Sequence, residues 1–421
     1  MLTYILFFFY LFIGTLVLHH FIRKKIFPFR LYHSSSVLIF KVFMGCLYGW
    51  VFLHYYGGDD TWNFFNESKD QTDLLLQHPR KFFEEFWPIF SWRVTGHQGG
   101  QAFLFYIDHF ERWFMIKGLA ILNLLSGKNY YIDVLLFDLL TLPGPLLLFK
   151  LLSEKFPLRT GMNFLLIFFI PSVIFWCSGI RAEALLLFCI VLAIYNGNAY
   201  ALRRKWSSIP GILIGFCGLL LFRYQYMLVF LPAFAAYLFS SVKKTGSAVF
   251  FNRIYLWVAI LFVASLFLPP RFQLSQPLIK AQGGFFQLHG NTRYALDSLE
   301  PGPLSFFKIL PEAAVNSLLR PSPWEGKNLL QSVSSIESLA LIAGLLFYFS
   351  NSRPRGQVTH PLYWLFLYYG LSQFILIGYV VPFPGAIVRY RTISLLFLIL
   401  FFYAGHPNLQ QKLRYWIFKL H

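Results

Sequence analysis

Asp59 and Asp60 stand side by side in Gly57-Gly58-Asp59-Asp60-Thr61-Trp62, where an apolar run from Ser36 to Tyr56 ends. Adjacent carboxylates at the edge of an apolar segment cost free energy unless they have a partner or a task. A carboxylate placed there can accept the proton of an attacking hydroxyl, which is general-base chemistry. The arginines supply a second kind of chemistry. Arg181 and Glu183 occur in Ser-Gly-Ile-Arg-Ala-Glu, Arg223 in Phe-Arg-Tyr-Gln-Tyr, and Arg389 and Arg391 in Val-Arg-Tyr-Arg. Arg320, Trp324 and Glu325 share Leu-Arg-Pro-Ser-Pro-Trp-Glu. Planar guanidinium forks suit bidentate binding of phosphate. Arg181, Arg223, Arg389 and Arg391, with few acids near them in sequence, are therefore candidate phosphate contacts. Glu183, Arg320, Trp324 and Glu325 are candidate substrate contacts, and Asp59 or Asp60 is the candidate base.

Each residue also has a plainer structural reading. Arg181 and Glu183 can pair and cap a helix end. Asp60 can cap a helix that starts at Thr61, which favours Asp59 as the base. Gly57 and Gly58 would let backbone approach a ligand. Arg391 can extend to the membrane interface, Trp324 can anchor there, and Glu84 and Glu85 fit the solvated face of an amphipathic helix.

The elements that must position these residues follow from composition. The 421 residues are 57% hydrophobic, 20% aromatic with 51 Phe, and only 13% charged, against about 25% charged in a soluble domain. The sequence predicts an all-α polytopic membrane protein built as a single bundle. Apolar runs predict eleven spans, near 2–19, 36–56, 130–152, 161–178, 183–200, 209–222, 225–240, 254–268, 335–350, 361–380 and 386–404. Alternate gaps hold the basic clusters Arg23/Lys24/Lys25/Arg30, Lys155/Arg159, Arg203/Arg204/Lys205, Lys243/Lys244/Arg253 and Arg353/Arg355, and Lys412, Arg414 and Lys419 follow the last span. The positive-inside rule then predicts an external N-terminus and a cytoplasmic C-terminus. The first span reads as a retained helix rather than a cleaved signal. Dispersal of the +18 net charge among short clusters suits topology and lipid headgroups and argues against a nucleic-acid partner. Cys46, Cys177, Cys189 and Cys217 lie in apolar runs and read as small buried hydrophobes.

The opposite, external face carries two long segments, 57–129 and 269–334. An amphipathic interfacial helix is expected over Asp73–Phe86, with Trp87, Trp92 and Trp113 in the aromatic belt. The second segment, rich in Pro, Gly, Gln and Asn, reads as loop with short helices. Charges gather at this face and no internal repeat is visible, which weakens a carrier built from inverted repeats. Nucleotide-binding loops, HExxH and GxSxG are all absent from the sequence. No cofactor is implied, although the carboxylate oxygens of the acidic pair leave room for a divalent cation.

With Asp59-Asp60 in Tyr-Tyr-Gly-Gly-Asp-Asp-Thr-Trp in view, the chain resembles the GT-C class of integral-membrane glycosyltransferases, over most of its length. The class carries an acidic motif in its first large external loop; here the motif follows the second span. The Ser-Gly-Ile-Arg-Ala-Glu and Val-Arg-Tyr-Arg segments are also similar to bacterial envelope polysaccharide proteins. The resemblance implies transfer of a sugar from a polyprenyl-phosphate-linked donor to a hydroxyl of a glycan acceptor. One of the two aspartates would be the base of an inverting transfer at the outer face of a bacterial inner membrane. A polymerase of lipid-linked glycans, or a flippase or carrier for them, are the alternatives.

Overall fold

The computed structural model describes residues 2–84, 99–243, 247–288, 293–325, 329–350, 360–403 and 414–418. Glu85, Phe86, Trp87, Trp92, Lys244, Arg353, Arg355, Lys412 and Lys419 lie outside the described residues. Among those described, every regular element is helical. Apolar side chains along a helix can face lipid only if each backbone amide is bonded within its own segment, and helices meet that condition. Among the described residues, seven helices are long and apolar enough to cross a membrane, or eight if one pair bent by 60° is a single span. The protein is a multi-pass membrane protein.

The chain opens with α1 (Leu2–Lys25) and α2 (Leu31–Tyr56). Two residues of positive φ, Gly57 (72°) and Gly58 (112°), then reverse it. Open space surrounds both glycines, so their role is the left-handed backbone rather than close approach to a ligand. Next come α3 (Asp60–Gln77) and α4 (Pro79–Glu84). The expected Asp73–Phe86 helix is thus divided at His78, and its residue Phe82 is fully buried beneath the Lys117 ammonium, 4.2 Å from the ring centre. Much of the expected first loop is a helical pair, because α3 lies on α5 (Gly99–Ser126). Asn123 donates to Ser68 Oγ at 2.9 Å and Thr72 Oγ1 at 3.0 Å across that seam. Trp113 sits along α5 itself, beside Phe105, Tyr106 and His109.

The central part contains α6 (Tyr130–Thr141), α7 (Pro143–Lys155), α8 (Thr160–Phe169), α9 (Pro171–Trp176), α10 (Ala182–Arg203) and α11 (Ile209–Lys243). Proline at the start of α7 and α9 breaks what the apolar pattern reads as single runs. The 35 residues of α11 are not one rod. Arg223 leaves the helical region (φ −156°, ψ 92°), and the ring of Phe216 lies 5.5 Å from that of Phe230. A straight helix would separate those positions by about 21 Å. Helix α11 therefore folds back on itself, with legs 209–222 and 224–243 and Arg223 at the tip. Both legs lie on α10: Gly215 packs on Cys189 and Ala193, and Gly197 on Phe234.

The last part holds α12 (Ser247–Ser265), α13 (Gln276–Gln287), α14 (Pro303–Leu318), α15 (Leu329–Ser350), α16 (Pro361–Val380), α17 (Pro384–Tyr390) and α18 (Thr392–Phe402). Every residue of α18 is buried, so it forms the axis of this half. Helices α17 and α18 are the bent pair. The ends of α2 and α17, the start of α10 and the tip of α11 meet at one end of the bundle.

Candidate functional site

Asp59 caps α3. Its Oδ1 accepts from the amides of Thr61 (3.1 Å) and Trp62 (3.4 Å) and from the Thr61 hydroxyl (2.6 Å). Its Oδ2 accepts from the Tyr48 hydroxyl. The expected roles are exchanged: the helix begins at Asp60, one residue earlier than the sequence suggests, and the cap is Asp59. The Asp59 side chain is 11% exposed, whereas that of Asp60 is 62% exposed. The lone pairs of Asp59 are committed to capping, and Asp60 presents its carboxylate to solvent.

Two guanidiniums face this pair, and a third joins them through Glu183. Arg181, at the entrance to α10, places Nη1 3.4 Å from Asp60 Oδ2 and Nη2 3.8 Å from Asp59 Oδ2. Its fork is held against Tyr48 and Trp176, 5.5 and 5.9 Å from the ring centres. Arg389, on α17, puts Nη1 3.8 Å from Asp60 Oδ2 and donates from Nε to Glu183 Oε1 at 2.7 Å. Arg223 places Nη1 3.5 Å from the same Glu183 oxygen. Glu183, in the first turn of α10 and 1% exposed, therefore holds two arginines in place rather than offering itself to substrate. Tyr390, between the two arginines of its segment, lies 4.9 Å beneath the Arg223 guanidinium.

The expectation of arginines with few nearby acids does not hold. Glu111 on α5, a residue absent from the sequence-based set, makes a two-point pair with Arg223: Nε to Oε2 at 3.2 Å and Nη2 to Oε1 at 3.3 Å. Four carboxylates (Asp59, Asp60, Glu111, Glu183) thus surround three guanidiniums (Arg181, Arg223, Arg389). Nothing local in sequence joins Glu111 to Arg223, which is 112 positions away. Among the described residues, no three His, Cys, Asp or Glu side chains converge as ligands for a metal ion.

Arg223 also lines a cavity of about 560 Å³. Charged and polar groups (Asp108, Glu111, Arg223, Gln225) line part of its wall, and apolar residues of α11, α12, α13 and α16, such as Leu228, Val258, Leu278 and Leu376, line the rest.

No family model, curated protein or solved structure matches the chain.

Four expected residues stand apart from this cluster. Arg391 is 1% exposed and ties helices together: it donates to the carbonyls of Ser317 (2.9 Å) and Arg320 (2.6 Å) and to the hydroxyls of Ser334 (2.9 Å) and Ser338 (2.8 Å). It neither extends to an interface nor faces the cavity. Arg320 and Glu325 pair with each other at 3.4 Å, with the Arg320 fork 4.4 Å above the Tyr294 ring. Burial and the Glu325 carboxylate push the Tyr294 hydroxyl up to about 12. It therefore stays protonated and donates to Glu325 Oε2 at 3.3 Å. Trp324 is 86% exposed and stands off this group.

Charge is also not confined to this end. Lys41, within α2, pairs with Asp138 of α6 at 2.9 Å, both side chains buried. The same ammonium donates to the carbonyl of Cys177. That contact ties the 177–181 segment, and with it Arg181, to α2. A lone lysine in the run from Ser36 to Tyr56 and a lone aspartate in another run give no local signal of each other.

Proposed function

We propose that the protein is a membrane glycosyltransferase that moves a sugar from a polyprenyl-phosphate-linked donor to a hydroxyl acceptor at the outer face of the membrane. The observation that carries this reading is the place of Arg223. Its guanidinium belongs both to the cluster around Asp60 and to the wall of an apolar cavity. A ligand with an anionic head and a hydrocarbon tail matches that adjacency: the tail fills the space among α11, α12, α13 and α16, and the head meets the guanidiniums.

Asp60 is the base in this reading. It takes the acceptor proton as the hydroxyl oxygen attacks the anomeric carbon. The bond from that carbon to the phosphate oxygen breaks, and the charge left on the lipid phosphate is received by Arg181 and Arg389, both within 3.8 Å of the Asp60 carboxylate. Electrostatic stabilisation of a leaving group is strongest from donors already fixed in place, and Glu183 and Tyr48 supply that fixing. Asp60→Asn keeps the shape and removes the base. Transfer by purified protein from a polyprenyl-phosphate-linked sugar should fall about 10²–10⁴-fold. Transfer at the unaltered rate would remove Asp60 from the mechanism.

The Lys41–Asp138 pair favours a second reading, a carrier or flippase for lipid-linked glycans, because ionisable groups inside spans often mark translocation routes. Movement of a lipid-linked glycan across vesicles, with no transfer and with dependence on Lys41, would decide for it.

A further inference from the structure

We propose that the Glu111 carboxylate is a resident stand-in for the substrate phosphate at Arg223, and that substrate entry displaces it. This inference rests on the lipid-phosphate reading of the site. A guanidinium fork binds carboxylate and phosphate through the same two parallel N–H donors, and Glu111 occupies both donors with its two oxygens at 3.2 and 3.3 Å. The pair lies on the wall of the cavity that would hold the tail.

The charge balance favours a departure. Four carboxylates and three guanidiniums already carry one net negative charge; an added phosphate raises that surplus to at least two, and the departure of one carboxylate offsets the addition. Asp59 is tied by its capping bonds and by Tyr48. Glu183 is 1% exposed and held by two arginines. Asp60 is the base. Glu111 is 24% exposed, and its ion-pair partner among the described residues is Arg223 alone. It also stands one helical turn from the exposed Asp108. Of the three that are not the base, it is the carboxylate with room to swing out to solvent. Glu111 then sets donor affinity: the apparent association constant is the intrinsic one multiplied by the fraction of molecules in which Arg223 is free. It also selects for a head that can outcompete a carboxylate, so that a lipid phosphate or diphosphate is admitted and a fatty acid is not.

The test measures binding of farnesyl phosphate, farnesol and palmitate to the full-length protein in detergent. Wild-type protein is compared with Glu111→Gln and Arg223→Lys. Glu111→Gln should bind farnesyl phosphate about three- to tenfold more tightly than wild type, leave farnesol unchanged and gain measurable palmitate binding. Arg223→Lys should weaken farnesyl phosphate alone. Wild-type binding of farnesyl phosphate with Glu111→Gln equal or weaker would overturn the displacement while leaving the lipid-phosphate reading intact. Absence of farnesyl phosphate binding in both wild type and Glu111→Gln would overturn the two together.

Discussion

Nε of Arg389 donates to Oε1 of Glu183 at 2.7 Å across 206 positions of chain. That bond joins the entrance of α10 to the end of α17, and Glu183 is buried with one oxygen carrying both this bond and the contact with Arg223. Removing one member of a buried ion network leaves uncompensated charge, which costs on the order of 3–5 kcal/mol. Glu183→Ala should therefore lower the melting temperature in detergent strongly. Glu183→Gln should melt between that variant and wild type while losing transfer, since both guanidiniums lose their fixed orientation. A wild-type melt for Glu183→Ala would show that the network does not hold the two helices together.

Asp59 and Asp60 should separate cleanly. Losing a carboxylate N-cap costs about 0.5–2 kcal/mol. Asp59→Ala should lower the melting temperature and reduce transfer only modestly. Asp60→Asn should leave the melt unchanged. The two variants, followed by thermal melt and transfer rate side by side, would contradict the assignment if the losses fell the other way round.

For Lys41 and Asp138, the single changes should be worse than the double. Lys41→Met strands a buried carboxylate and Asp138→Leu strands a buried ammonium, whereas the double variant replaces the pair with apolar surface. Thermal melts of the three variants test this. A double variant no more stable than the less stable single would mean that the pair is not the unit of stability.

Orientation can be read by labelling. Asn66 and Ser298 are exposed in the two segments expected to be external, while Ser68 is buried beside Asn123. Single cysteines at 66 and 298, in a background with the native exposed Cys217 changed to serine, should react with an impermeant maleimide in intact cells. Protection of both positions would place the Asp60 cluster on the cytoplasmic side.

Much of the helical plan was legible, because the expected apolar segments fall on helices, with 130–152 and 161–178 divided at Pro143 and Pro171, 209–222 and 225–240 joined in α11, and 386–404 bent between α17 and α18 at Arg391. Even the fold-back of α11 was visible, as two separate runs, 209–222 and 225–240, with Arg223 between them. The site was half legible. Arg181, Glu183, Arg223 and Arg389 were marked by standing at the end of the bundle opposite the basic clusters. Arg391 carried the same mark, but neighbours two apart on a helix turn face away from each other, so Arg389 meets Glu183 while Arg391 meets Ser334 and Ser338. The Asp59/Asp60 exchange turned on a one-residue shift in where the helix starts, which composition does not fix. Glu111 and Lys41 were invisible because each is defined by a partner in a distant helix.

The fold-back of α11 has one more consequence. Its first leg, Ile209–Phe222, extends only about 21 Å at 1.5 Å per residue, against a hydrocarbon thickness of ~30 Å. The second leg, 224–243, extends about 30 Å by the same measure, so the two legs that meet at Arg223 do not both span an undistorted bilayer. With the tip at the headgroup plane, the Ile209 end of the first leg lies ~9 Å inside the opposite leaflet, and local thinning there relieves the mismatch. Local membrane thickness thereby becomes a variable in how α11 seats Arg223, and reconstitution in lipids of graded acyl length would tune it.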